Sequence, residues 1–182
     1  MRAFYTLILL LVTTTSSALA GAMFPKQIEA LDQNFQKLGE YRYVYRMFFR
    51  LYEAALFTEP GASAEEVLRA ETAFHLQFRY LRKIDKAIIL KSADRMLEKN
   101  LSPKEKSAIA ARVDTINEAY TTVRKGDRSS LTYEPGVGTT LMINDKPVVT
   151  IEGRDFAQLY FRIWLGEQAI SKSLRKNLLG LG

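Results

Sequence analysis

Arg42, Arg46, Arg50 and Tyr52 all stand at even positions in one aromatic-rich stretch of the chain. On an extended strand, side chains two apart share a face. That spacing puts the four on one side, with Val44 and Phe48, and leaves Tyr41, Tyr43, Tyr45, Met47, Phe49 and Leu51 on the other. A half-buried cation needs a partner. A guanidinium offers two parallel donors to a carboxylate or enolate, and a tyrosine hydroxyl adds a third. Arg42, Arg46 and Tyr52 are therefore the candidate ligand-binding residues, with Arg50 expected at the sheet edge or in solvent. The plainer reading is a solvated face paired with Asp and Glu.

The rest of the chain offers little other chemistry. There is no cysteine and one histidine, His75. That removes thiolate zinc sites, iron–sulfur clusters and cysteine nucleophiles, and leaves no multi-histidine metal site. His75 alternates with apolar residues and reads as a hydrogen-bonded or solvent-facing strand residue. Gly136-Val137-Gly138 lies between two apparent strands, so it reads as a hairpin and not as a phosphate loop. Asp127 after Gly126 is explained by turn chemistry, and Glu65-Glu66 by a helix start. No cofactor and no metal are expected. The formal charge is +6, which leans toward anionic partners without naming one.

These residues need elements to hold them. Residues 25–37 fit a short helix, with Pro25 at its start and Ile28, Leu31 and Phe35 on one side. Residues 40–58 are too long for an ordinary strand and should carry a bend or bulge or divide into two strands. Glu59-Pro60-Gly61 is a turn, and Ser63 to Glu66 a capping box. A strand over 73–84 faces Phe74, Leu76, Phe78 and Tyr80 one way, and His75, Gln77 and Arg79 the other. Asp85 opens a helix to about Lys99, with Ile88, Ile89, Ala93, Met96 and Leu97 as its stripe. Ser102-Pro103-Lys104-Glu105 opens another, running to Val123. Strands follow at 129–134, 139–143 and 147–151, with Asn144-Asp145 in a tight hairpin. Asp155 caps a helix to Gly166 that covers the sheet with Phe156, Leu159, Tyr160, Ile163 and Trp164, and Ser171 caps a last one. This order describes an α+β domain with an antiparallel sheet.

The first twenty residues read as a signal peptide. Arg2 precedes a short apolar run from Ala3 to Val12, and Ala18-Leu19-Ala20 suits cleavage. The run is too short to span a bilayer, and no cysteine follows to carry a lipid. We therefore expect residues 1–20 to be a leader, 21–34 a lead segment and 35–180 the domain. The cleaved product would be periplasmic, without a stable membrane anchor and without a role in binding nucleic acid.

Several motifs together resemble the chalcone isomerase-like family, in its bacterial exported branch. They are Gly126-Asp127-Arg128, Leu131 through Leu141, Ile151-Glu152-Gly153, Asp155-Phe156-Ala157 and Phe161 through Gly166. Phe49 through Phe57 and Phe78 through Ile84 add to the likeness. The resemblance implies an open-faced β-sandwich, a large antiparallel sheet covered by a layer of helices. The plant enzymes of the family close a chalcone to a flavanone, and other members bind fatty acids. In both, the ligand lies between sheet and helices, and an early-strand arginine meets its anionic end. Tyr52 falls where the enzymes have a ligand-orienting threonine. Arg42 and Arg46 are the candidates for the arginine. The enzymes' catalytic tyrosine and asparagine are assigned to no position here.

Three readings follow. The first is a non-catalytic binder of a small amphipathic anion such as a fatty acid. The second is an isomerase, an intramolecular lyase, in which arginine stabilises an enolate-like charge. The third is a structural or partner-binding protein whose cleft is filled by its own side chains.

Overall fold

The computed structural model describes residues 22–182, so the leader expected at 1–20 lies outside the described residues. Seven strands form one antiparallel sheet in chain order: β1 (Gln27–Ala30), β2 (Gln33–Tyr45), β3 (Phe49–Thr58), β4 (Phe74–Tyr80), β5 (Arg128–Glu134), β6 (Gly138–Ile143) and β7 (Lys146–Ile151). Helix α1 (Ala64–Leu68) links β3 to β4. Helices α2 (Lys86–Asn100) and α3 (Pro103–Ala119) link β4 to β5. Three more follow the last strand: α4 (Arg154–Tyr160), α5 (Arg162–Leu165) and α6 (Lys172–Leu178). This is the expected α+β arrangement of a large antiparallel sheet under a layer of helices.

Local chemistry sets most of the helix starts. Ser63 and Ser102 each close a reciprocal capping box, with Glu66 and Glu105, and Ser171 accepts from the Leu174 N–H. Each satisfies donors that a helix end otherwise leaves bare. Asp155 is not the cap expected of it. Gly153 holds that position with φ 104°, and Asp155 sits in the first turn, where it accepts from Arg112 Nη1 at 2.9 Å.

Two expectations fail, those for residues 25–37 and for the end of α3, while the expected division of residues 40–58 is met. Residues 25–37 form a hairpin and not a helix, because Leu31 and Asp32 both adopt left-handed φ and fold Ile28 back opposite Phe35. Residues 40–58 divide into two strands, with Arg46 and Met47 left-handed at the turn. α3 stops at Ala119, four residues short of Val123. Val123 instead exchanges two 3.0 Å backbone hydrogen bonds with Ile84.

The main core lies between sheet and helices. Leu56, Leu76, Leu131 and Leu141 from the strands meet Ile109, Ile116, Phe156, Leu174 and Leu178. Each fully buried side chain of this size contributes about 1.5–3 kcal/mol relative to exposure. A smaller cluster of Phe24, Phe35, Ala55, Phe57 and Ala73 occupies the opposite face. There the sheet curls enough for Phe35 to reach His75, two strands away, at 6.0 Å between rings, and for Gln33 to bond Glu134. Gly39 answers a close approach. A Cβ on it would sit 1.9 Å from the Asn177 carbonyl oxygen and 2.8 Å from that of Leu178, at the end of α6.

Candidate functional site

The register of β2, β3 and β4 creates two cross-strand rows one residue apart. Tyr43, Tyr52 and Tyr80 are mutual partners in one row, and Arg42, Glu53 and Arg79 in the next. Because neighbours along a strand point to opposite faces, the tyrosine row faces the helices and the charged row faces away.

The tyrosine row floors a cavity of about 100 Å³. Tyr43 and Tyr52 stack at 5.1 Å, and Tyr52 meets the Phe78 and Tyr80 rings edge-on at 5.4 and 6.4 Å. α2 closes the cavity with Ile88, Ile89 and Ala93, and α4 and α5 with Tyr160, Ile163 and Trp164. Trp164, expected in the core, is half-buried at this wall, packed on Phe78 at 5.3 Å and Tyr160 at 5.9 Å. Among the described residues, none lining the cavity carries a charge.

Its polarity comes from hydroxyls. Tyr80 shares a 2.8 Å hydrogen bond with Ser129. The Tyr52 hydroxyl is fully buried without a hydrogen-bond partner, and that of Tyr160, also buried, has only the Tyr120 hydroxyl near it. Burial pushes Tyr52 well above the usual tyrosine range, and Tyr43 and Tyr80 add to it. Burial pushes Tyr80 up to about 12, partly offset by the Ser129 bond. Burial also raises Tyr160, with the nearby Tyr120 hydroxyl opposing it, and raises Tyr120. At neutral pH these groups are neutral donors. As donors they can hold a ligand oxygen.

The sheet separates the sequence candidates. Tyr52 lines the cavity. Arg42 lies on the opposite face, donating to Glu53 Oε1 through Nε at 2.9 Å and Nη2 at 2.6 Å. Arg79 engages Oε2 of the same carboxylate, with Nε at 2.7 Å, so Glu53 bridges two cations while being 3 % exposed. Burial raises the Glu53 pKa, but the bonds from Arg79 and Arg42 outweigh it and hold the group below the ordinary carboxylate value. Arg46 stands in the β2–β3 turn, its guanidinium 5.3 Å from the centre of the Tyr45 ring. The shared face expected for Arg42, Arg46 and Tyr52 does not exist, because a bulge at Leu51 shifts the register between Val44–Arg50 and Tyr43–Tyr52 and so reverses odd–even parity between the strands. His75 is the hydrogen-bonded residue expected, 2.7 Å from Thr132 Oγ1 on the face away from the helices.

Sequence reasoning passed over Tyr80, Tyr120 and Tyr160 as parts of apolar stripes. The available signal was chemical: a buried tyrosine hydroxyl normally needs a partner, and three of them point into one core.

Against known proteins, the model of the chalcone isomerase-like family matches residues 16–180. The crystal structure of a fatty-acid binding protein from Arabidopsis thaliana shares the fold. It has a TM-score of 0.64 at 12% sequence identity, over 87% of this chain and 91% of that one. A search of curated proteins gave no match. The chain belongs to the chalcone isomerase-like family.

Proposed function

We propose that this chalcone isomerase-like protein is a non-catalytic binder of a small amphipathic molecule of the fatty-acid class, held between sheet and helices. The observation that carries the reading is the buried, unpartnered hydroxyl of Tyr52, with that of Tyr160 beside Tyr120, in a largely apolar cavity. An apolar wall with a few convergent polar groups is the usual form of a small-molecule site. The apolar body takes the cavity, and a carboxyl oxygen accepts from the two tyrosines. The fold shared with a fatty-acid binding protein supports the same reading. The isomerase reading places an arginine beside a developing enolate. Among the described residues none lines this cavity, and Arg42 is held by Glu53 on the other side of the sheet.

At about 100 Å³ the cavity is smaller than the several hundred Å³ typical of ligand sites. Ligand entry therefore displaces wall side chains, Trp164 among them. Residues 1–20 support action after export, in the periplasm.

Trp164 is the sole tryptophan, so its fluorescence reports occupancy. Titration of delipidated protein with a fatty-acid series should shift that emission saturably. Tyr52→Phe should weaken binding about tenfold, the effect of one hydrogen bond to a charged or strongly polar group. Arg42→Ala and Arg46→Ala should bind as the wild type does. No saturable shift with any chain length would refute the ligand class. Unchanged affinity in both Tyr52→Phe and Tyr160→Phe would refute the site.

A further inference from the structure

The β2–β3 turn leaves apolar side chains in water that the fold could have buried. Met47 is 87% exposed and Phe48 82%, with Phe49, Tyr45 and Val44 also exposed. The backbone explains how they project. Tyr52–Tyr80 is the last paired position between β3 and β4, whereas β2 and β3 continue to pair through Val44–Arg50 and Tyr45–Phe49. Residues 44–50 are thus a two-stranded tip beyond the rest of the sheet.

Cations surround this tip. Arg46 lies against Tyr45, and Arg82 against Phe49 at 5.1 Å. Arg50, Arg82 and Lys125 line a shallow cleft of about 410 Å³ with Arg42, Phe48 and Phe49. The single carboxylate of that cleft is Glu53, already engaged by Arg42 and Arg79. Among the described residues, Arg46, Arg50, Arg82 and Lys125 form no ion pair.

We propose that this hairpin tip docks reversibly on an anionic lipid surface, with Met47 and Phe48 entering the headgroup–acyl boundary and Arg46, Arg50, Arg82 and Lys125 meeting lipid phosphates. Charge complementarity selects the anionic surface. The shape selects lipid over protein, since stable protein interfaces draw about 20–30 residues from each side. An apolar wedge ringed by cations is what a bilayer boundary accepts. Tyr43, Leu51 and Tyr52, which flank the tip, also line the cavity, so a docked molecule carries its cavity next to the membrane. That last link rests on the binding reading above; docking itself does not.

The test is co-sedimentation of the purified protein with vesicles of phosphatidylglycerol and phosphatidylcholine in equal parts, against phosphatidylcholine alone. Binding is expected on the anionic vesicles, weakening as salt is raised. Arg46→Ser with Arg50→Ser should lower the partition coefficient about twenty- to thirtyfold, at about fivefold for each cation near the surface. Met47→Ser with Phe48→Ser should lower it at least tenfold on vesicles of the same charge. All four positions are exposed or in the turn, so each variant should melt with the wild type. Phe48→Trp supplies a second readout: its added emission should shift to the blue on anionic vesicles. Anionic-vesicle binding that ignores both double variants, or a Phe48→Trp emission that stays red, overturns the proposal. Wild type that ignores the vesicles at low salt also overturns it, and points to an acidic protein as what covers the tip. Fatty-acid titration is measured without vesicles, so failure of either reading is visible by itself.

Discussion

The same three strands carry the Tyr43–Tyr52–Tyr80 row and the Arg42–Glu53–Arg79 row, one residue apart, and the two rows follow opposite rules. In the charged row both carboxylate oxygens of Glu53 are occupied. In the tyrosine row the Tyr52 hydroxyl is spare, and burial holds Tyr52 and Tyr80 in their neutral form. A row whose groups satisfy one another stabilises the sheet. A row with unspent donors facing a cavity costs stability and is where a ligand can add something. Charge marked the first in the sequence, yet the second is the better site.

Breaking the layer that roofs the tyrosine row should give the largest effect. Gly39→Ala drives a methyl group into the backbone carbonyls of α6, and backbone cannot swing aside as a side chain can. We expect a loss above about 3 kcal/mol, the top of the usual range for overpacking, and poor soluble yield. A melting temperature within two degrees of wild type would show that α6 is not fixed against β2.

His75 tests the face away from the helices by pH. Burial lowers its pKa from 6.5 to about 4, against a small opposing pull from Asp145. The folded state therefore keeps it neutral while the unfolded chain protonates it. Its contribution is complete above pH 6.5 and is lost as pH falls from there toward 4. A shift of this size amounts to roughly 3 kcal/mol. Urea unfolding between pH 7 and pH 4.5 should show that slope in the wild type and a shallower one in His75→Gln. Parallel slopes would remove His75 as the cause.

Glu53→Gln should cost about 2 kcal/mol. Breaking a buried ion pair can cost more, but both arginines here are 43% exposed and recover hydration. Because the folded pKa is depressed, this contribution is present above the ordinary carboxylate range and disappears as pH falls below it. Cavity binding should survive the substitution, since the row faces away. A fatty-acid affinity lost along with the ion pair would mean that the two faces are not independent.

The sequence was legible where local chemistry decides. Both capping boxes, the Asn144–Asp145 hairpin and the three C-terminal strands stand where spacing and turn residues put them. Leu31-Asp32 and Arg46-Met47 take left-handed conformations without the glycine or asparagine that normally announces them. Reading through the first gave a helix for a hairpin. Beyond the second, an unpaired Leu51 shifts the register by one residue, so counting in twos put Arg42 and Tyr52 on one face when they lie on opposite ones. Tyr52 was found, though by a parity that does not hold. Tyr160 and Tyr120 could join it only through packing of α3 and α4 over the sheet, which no local pattern encodes.

The smallest effect separates the rules within a single row. Tyr52 and Tyr80 are direct cross-strand partners, both buried, and both lose one oxygen on substitution by phenylalanine. Tyr80 gives up its 2.8 Å bond and leaves Ser129 unpaired, so Tyr80→Phe should destabilise by about 0.5–1.5 kcal/mol. Tyr52 gives up no bond. Removing a buried, unsatisfied hydroxyl relieves its desolvation, so Tyr52→Phe should be neutral or more stable by up to about 1 kcal/mol. Saturating fatty acid should reverse that order for Tyr52, because a ligand that binds only the folded state stabilises in proportion to its affinity, and the variant binds more weakly. Urea unfolding of delipidated and loaded protein measures all four values. If Tyr52→Phe destabilises the ligand-free protein as much as Tyr80→Phe does, the Tyr52 hydroxyl is already satisfied within the fold and is not held in reserve for a ligand.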